Sequence, residues 1–281
     1  MIAQRSPVFY LLLAACIVGV PAVSSARQHP AFSPPQAREL VPPEFADSEV
    51  AALVATLDAA LGGTPPGPSA GDARHTLWSF ARRLQAGRLS PSQELSVLAH
   101  LDRLGEAHPG YREPIERASF MVRALTVGKT APEIVGPDLE GSAFRLSEYR
   151  GKVVVVTFSA DWCAICRTQH PYYRLLQELY ANWPFAIVGV ETGARDAARR
   201  LKAQHGLTFR SFWDARAGEG GPGAITSAWN VLGWPSTYVM DAEGVIRFVD
   251  LRDEDLLKGI RQLLTEHMER VDAAARTERR H

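Results

Sequence analysis

The sequence predicts an α/β fold preceded by a small all-helical region. From Val127 onward, apolar β-branched runs alternate with helical spacing and with turn segments, the pattern of strands and helices sharing one domain. Upstream, from about Asp47 to Leu125, only amphipathic helical spacing occurs. The run Val153 to Phe158 is apolar without alternation, as a strand covered on both faces requires.

Residues 1–26 read as a leader to be set apart from the fold. Arg5 supplies a positive charge, Val8 to Val20 an apolar run, and Ser24 and Ala26 the small residues that a signal peptidase reads. The run falls short of the ~20 residues that a spanning helix needs. An uncleaved membrane anchor is one rival. A second is lipidation at Cys16, because Leu13-Ala14-Ala15-Cys16 resembles the lipobox of bacterial lipoproteins, although Ile17 to Val20 stay apolar. Each version places the mature chain outside the cytoplasm, exported to a periplasmic or other extracytoplasmic space.

Residues 27–46, rich in Pro, Ser and Gln, read as a linker. A helix then begins near Ser48 with Val50, Leu53, Val54, Leu57 and Leu61 on one face, ended by Gly62-Gly63. A second spans Asp72 to Gln85. Ser90-Pro91-Ser92-Gln93 opens a third as a capping box with proline at the first position, its inner face Leu95, Leu98, Leu101 and Val97 or Leu104, and Gly105 its C-cap. A fourth runs from Glu113 to Leu125. His75, His100 and His108 show no ligand spacing near a carboxylate. The region 47–125 either docks a partner or braces the α/β domain; its sequence does not choose.

The domain 127–268 opens with a hairpin about Asp138-Leu139-Glu140-Gly141. After the strand from Val153 come a helix with Leu175, Leu176, Leu179 and Tyr180 on one face, a strand from Phe185 to Val190, and a helix from Ala194 to His205. A short strand from Phe209 to Trp213 and a short helix from Ile225 to Val231 come next. A second hairpin turns about Asp241-Ala242-Glu243-Gly244, and a last helix starts at Asp253-Glu254-Asp255, acids that the helix macrodipole favours. Residues 269–281 read as a charged tail that frays.

Between the first long strand and its helix lies Trp162-Cys163-Ala164-Ile165-Cys166. Two cysteines at this spacing have the arrangement of dithiol–disulfide chemistry, and the first sits where unpaired helix N–H groups favour a thiolate. Cys163 is the candidate nucleophile and Cys166 its resolving partner; a structural disulfide and half of a metal site are the alternatives. The chain has three cysteines, so a cleaved leader leaves only this pair, which is no disulfide scaffold and, as so small a loop, a poor staple. Lys plus Arg and Asp plus Glu number 31 each. That balance points away from nucleic acid and anionic membrane surfaces, and no metal or cofactor motif stands out.

These features together resemble the TlpA/ResA-like redoxin branch of the thioredoxin superfamily. Gly128-Lys129-Thr130-Ala131-Pro132 resembles the family's lead-in. Gly151-Lys152 and the valines after it run into the CxxC, Pro171 lies inside the helix, and Gly233-Trp234-Pro235-Ser236-Thr237 precedes Asp241 and Gly244. The resemblance covers 127–266 and implies a thioredoxin-like fold, a central mixed sheet flanked by helices. It implies an exported thiol–disulfide oxidoreductase without cofactor, acting on protein thiols or disulfides, usually as a reductase fed by a membrane electron donor. It also makes Pro235 a cis-proline facing the dithiol, where a trans proline opening an edge strand is the plain alternative. Trp162 and Trp234 then become substrate-contacting walls, with packing as their ordinary role.

Two departures from the family concern protons. Thr157 stands six residues before Cys163, where thioredoxins carry a buried aspartate, and Gln169 stands where many ResA-like proteins carry a glutamate. Neither titrates. Asp161, expected to be solvated, and His170, one turn past Cys166 but more readily read as a surface residue than as a base, remain as candidates for proton handling beside water. Two further readings stay open: a non-catalytic binding platform with an inert disulfide, and Cu(I) handling by Cys163, Cys166 and His170.

Overall fold

The computed structural model describes residues 40, 42–62, 70–215 and 223–279. The leader with Cys16, most of the linker and the loop 63–69 lie outside the described residues. Every described residue belongs to one compact unit, 38–281. Among the described residues no helix is long and apolar enough to cross a membrane.

Four helices come first: α1 (Asp47–Leu61), α2 (Ala70–Gln85), α3 (Pro91–Ala107) and α4 (Arg112–Ala124). The capping box of α3 forms as expected, Ser90 Oγ accepting from Gln93 N–H while Gln93 Oε1 accepts from Ser90 N–H. Its other end differs: the helix runs through Gly105 to Ala107, and His108 is the C-cap. Leu95 points to solvent, and Val97 and Leu101 are the buried residues of the apolar stripe. His100 does meet a carboxylate, Asp58 of α1 at 2.8 Å, a pairing across helices that spacing along the chain cannot reveal. The end of the stretch read as linker is anchored, since Pro43 and Phe45 exchange backbone hydrogen bonds with Arg88.

A two-stranded ribbon is next, β1 (Val135–Pro137) against β2 (Ala143–Arg145). Then come β3 (Val153–Ala160), α5 (Ala164–Leu179), β4 (Phe185–Thr192), α6 (Arg195–Gln204), β5 (Ser211–Asp214), α7 (Ala224–Ala228), β6 (Ser236–Met240), β7 (Ile246–Val249) and α8 (Asp253–Glu278). The main sheet has the order β5-β4-β3-β6-β7. β4 runs parallel to β3 and to β5, while β6 is antiparallel to β3 and to β7. This is the mixed sheet expected, with β3 at its centre and every residue of β3 buried. Both hairpin turns use one device. Asp138 and Asp241 each accept two backbone N–H groups of their turn, and Gly141 and Gly244 take the positive φ that closes it.

Period-two alternation along β3 divides the core between two faces. Val154, Val156 and Phe158 join Tyr238, Trp229 and the apolar side chains of α1–α4 in one cluster. Val153 and Val155 join Tyr173 and Leu176 of α5 and Leu256, Ile260, Leu263 and Leu264 of α8 in the other. The inner face of α5 is therefore Cys166, Gln169, His170, Tyr173 and Leu176, and Leu175 and Leu179 are exposed. Of the face expected from spacing, Leu176 is buried and Tyr180 packs against the same core, whereas Leu175 and Leu179 are not, because Gln169 and His170 share the inward side. The charged end also differs from expectation. α8 stays helical to Glu278, with Thr277 and Arg276 side chains bonding back to Ala273 and Asp272 carbonyls.

Candidate active site

β3 ends at Ala160, whose carbonyl accepts the Cys163 N–H at 3.0 Å and turns the chain into α5. Cys163 is the N-cap of that helix, with extended backbone, and its Sγ accepts the Cys166 N–H at 3.1 Å. One of the orphan donors of the helix start is thus satisfied by sulfur. Cys163 and Cys166 are joined by a disulfide, their Cα atoms 5.3 Å apart. Both residues are buried, Cys163 at 6% exposure and Cys166 at 2%. Ala160 and Trp234 pack directly against the pair. Trp162 and Ile165 flank it and are more than half exposed. The rings of Trp162 and Trp234 meet edge to face with centroids 5.3 Å apart. The Trp234–Pro235 bond is cis. Arg252 donates to the Pro235 carbonyl and Ser236 Oγ to that of Gly233. Cys163, Cys166, Trp162, Trp234 and Pro235 are therefore assembled at one place from β3, α5 and the segment before β6.

Residues 127–249 match the AhpC/TSA family. The thiol–disulfide oxidoreductase ResA of Geobacillus kaustophilus is 33% identical over 125 residues, 44% of this chain and 68% of the relative. The chain belongs to the ResA-like thiol–disulfide oxidoreductases. A thioredoxin-like protein of Bacillus subtilis, YneN, is 32% identical over 124 residues, 43% of this chain and 68% of that one. Among solved structures, the thioredoxin domain of a thiol–disulfide oxidoreductase from Bacteroides vulgatus covers 50% of this chain and 99% of its own, at 24% identity and a TM-score of 0.45. The helices α1–α4 lie outside the family match.

In this ResA-like chain the two departures at proton-handling positions have structural partners. Thr157 is buried, and its hydroxyl pairs with Tyr173 OH at 2.9 Å. The same phenol bonds Thr237 on β6, and burial above all raises its pKa. Gln169 donates through Nε2 to Asp253 Oδ1 at 3.0 Å and accepts the Asp253 N–H through Oε1. An amide can do both, whereas an ionised glutamate has no donor and would face the Asp253 carboxylate.

Asp161 is half-buried rather than solvated. Gly193 makes room for it: at φ +121° it has no Cβ, which would otherwise fall 2.1 Å from Asp161 Oδ1. That oxygen is buried and has no partner among the described residues. His170 is no surface residue either. It lies on the inner face of α5, its ring 4.6 Å from that of His205. Burial, with His205, Arg167 and Lys202 adding positive charge, lowers its pKa from 6.5 to about 4, leaving the ring neutral at pH 7. Among the described residues no three His, Cys, Asp or Glu side chains are grouped to hold a metal ion.

A buried carboxyl on this same face has no counterpart among the residues that the motif pattern singles out. Glu191 lies opposite Ser159 in the β3–β4 register. Burial raises its pKa, opposed by Lys202 and by a hydrogen bond from Ser159, and Asp161 adds to the rise. Lys202 on α6 donates to Phe209 O and Ser211 Oγ, and burial brings it down to about 8 against the pull of Glu191 and Glu140. The strand expected from sequence stops at Val190, one residue short of Glu191; in the structure β4 runs on to Thr192, and Glu191 is buried within the electrostatic reach of Lys202 on α6.

Proposed function

We propose that the protein is an extracytoplasmic disulfide reductase of proteins, with Cys163 as attacking thiolate and Cys166 as resolving thiol. The observation that carries the reading is Cys163 at the N-cap of α5, its sulfur held by the Cys166 N–H and bordered by exposed Trp162 and by Trp234. In the reduced enzyme the same N–H and the helix dipole stabilise a thiolate on Cys163. That thiolate attacks one sulfur of a substrate disulfide, forming a mixed disulfide and expelling the other sulfur, which takes up a proton. The Cys166 thiol loses its proton and attacks Cys163 Sγ. The substrate leaves as a dithiol, and the Cys163–Cys166 disulfide holds the two electrons' worth of oxidation. A membrane-borne dithiol donor outside the cytoplasm returns the enzyme to its reduced form by the same exchange in reverse.

Trp162 and Trp234 supply apolar contact to the substrate, and the Trp234 backbone ahead of the cis bond pairs with an extended substrate segment. Asp161, His170 and water are the candidates for taking the Cys166 proton; a neutral His170 ring can accept one, though with a pKa near 4 it is a weak base. The exported location rests on the leader-like residues 1–26. Insulin-disulfide reduction by the Cys163→Ser and Cys166→Ser variants tests the assignment. Both are expected to fall at least a hundredfold, and Cys163→Ser alone is expected to trap no mixed disulfide. Full activity in Cys163→Ser overturns it. Thiol trapping in cells tests the direction, a mostly reduced pair being the outcome expected of a reductase.

A further inference from the structure

Between the helical layer and the segment beside the dithiol runs a continuous set of contacts from α2. The Arg82 side chain, only 11% exposed, places its guanidinium against Asp250 just past β7. It donates from Nε to Asp250 Oδ2 at 2.7 Å and from a second nitrogen to Oδ1. Its remaining nitrogen donates to Tyr238 OH at 2.7 Å and to Gln85 Oε1 at 2.9 Å. Asp250 in turn brackets Thr237. Its Oδ1 accepts the Thr237 N–H at 3.1 Å, and its own N–H donates to the Thr237 carbonyl at 2.7 Å. Thr237 is the second residue after Pro235. One turn before Arg82 on the same helix, Trp78 lies against Gly233, where a Cβ would come within 3.1 Å of the indole.

The geometry around Asp250 is specific to this duty. Its φ is +57°, in the left-handed region that aspartate tolerates better than most side chains. Glycine would take that conformation with less strain but would leave Arg82 and the Thr237 N–H without their acceptor. An enclosed arginine that bonds groups on two neighbouring strands, Tyr238 of β6 and Asp250 just past β7, fixes position as well as charge, because its planar fork accepts little variation in angle.

We propose that Arg82, with Trp78, is a positioning residue for the substrate-facing segment Gly233–Thr237, so that the helical layer sets how well a protein disulfide docks at Cys163. The proposal rests on the reductase reading, and its test separates the two. The full chain is assayed with insulin as protein disulfide and with glutathione disulfide, a small substrate that needs little of the segment's backbone. In Arg82→Met the KM for insulin is expected to rise about tenfold, with kcat and the glutathione rate within about twofold of the unaltered chain. Arg82→Lys keeps a charge beside Asp250 but not the fork, and is expected to recover part of the loss. Tyr238→Phe, which removes one hydroxyl and keeps the ring, serves if Arg82→Met does not fold, and is expected to raise the insulin KM about threefold. Equal changes for both substrates, or an unchanged insulin KM in folded Arg82→Met or Tyr238→Phe, overturn the proposal while leaving the reductase reading intact. An unaltered chain that exchanges with glutathione but never reduces insulin removes the reductase reading and this proposal with it.

Discussion

On the face of the sheet covered by α1–α4, Phe158, Trp229 and Tyr238 form a ring cluster with centroids 5.1 to 6.1 Å apart, and the polar groups there meet in the Arg82–Asp250–Tyr238 set. On the face covered by α5 and α8, the apolar core stops short of the dithiol. Beyond it lie Thr157, Ser159, Gln169, His170 and Glu191, all buried and all polar. The first face gains stability from large rings, and its enclosed ion pair fixes geometry rather than adding stability. The second gives up stability to enclose polar groups, among them His170 and Glu191, whose charge states depend on that enclosure. The dithiol is thus backed by the face that encloses His170 and Glu191, while Arg82, Asp250 and Tyr238 meet on the opposite face.

Replacing Phe158 by Ala would break the aromatic face most severely. The side chain is fully buried between Trp229 and Tyr238, and a loss of about 3–5 kcal/mol is expected, measured by urea unfolding. On the polar face the largest effect is one of pH. His170 has a folded pKa near 4 against an ordinary 6.5. The unfolded chain binds this proton as pH falls below 6.5 and the folded chain does not, so stability drops progressively from pH 6.5 to 4, by at most roughly 3 kcal/mol. His170→Asn should lack that share, and parallel stability curves for the two chains across this window would show that the shift is absent.

Gln169→Glu tests the link from α5 to α8. At pH 7 the new carboxylate loses the donor to Asp253 and repels it, costing about 1–3 kcal/mol by thermal or chemical unfolding. Acidification that protonates the new carboxyl should return much of this, since the protonated acid can donate again; a cost that is independent of pH would argue against the Asp253 contact as its source. Leu175→Ser is the smallest change. Helical spacing marks Leu175 as core, but it is exposed, and its loss should shift stability by no more than about 0.5 kcal/mol.

The dithiol, its helix, the order of strands and the two hairpins are legible in the sequence because each depends on neighbours close in the chain. Cys163 and Cys166 share one helical turn, Ser90 and Gln93 cap one helix end, and Asp138 and Asp241 each close their own turn. Pro235 could be placed opposite the dithiol only through resemblance, since nothing local to it names a partner more than sixty residues away. Leu95, Leu175 and Leu179 depart from their expected places for a related reason. Apolar spacing says that a helix has a stripe, but the face turned inward is settled by what packs on it, and on α5 that face is rich in polar residues.

A CxxC at the start of a helix, an α/β domain around it, and a separate run of amphipathic helices ahead of it are all written in periodicity, caps and turns. What those helices do, and which groups are enclosed, depends on packing between segments far apart in the chain. Arg82 is one arginine among many until α2 lies against Asp250 and Tyr238. Glu191 is one acid among many until the fold buries it near Lys202 of α6, and His170 a surface histidine until α5 turns it inward. Burial and pairing between distant segments set charge states, and distance through the fold is not written in distance along the chain.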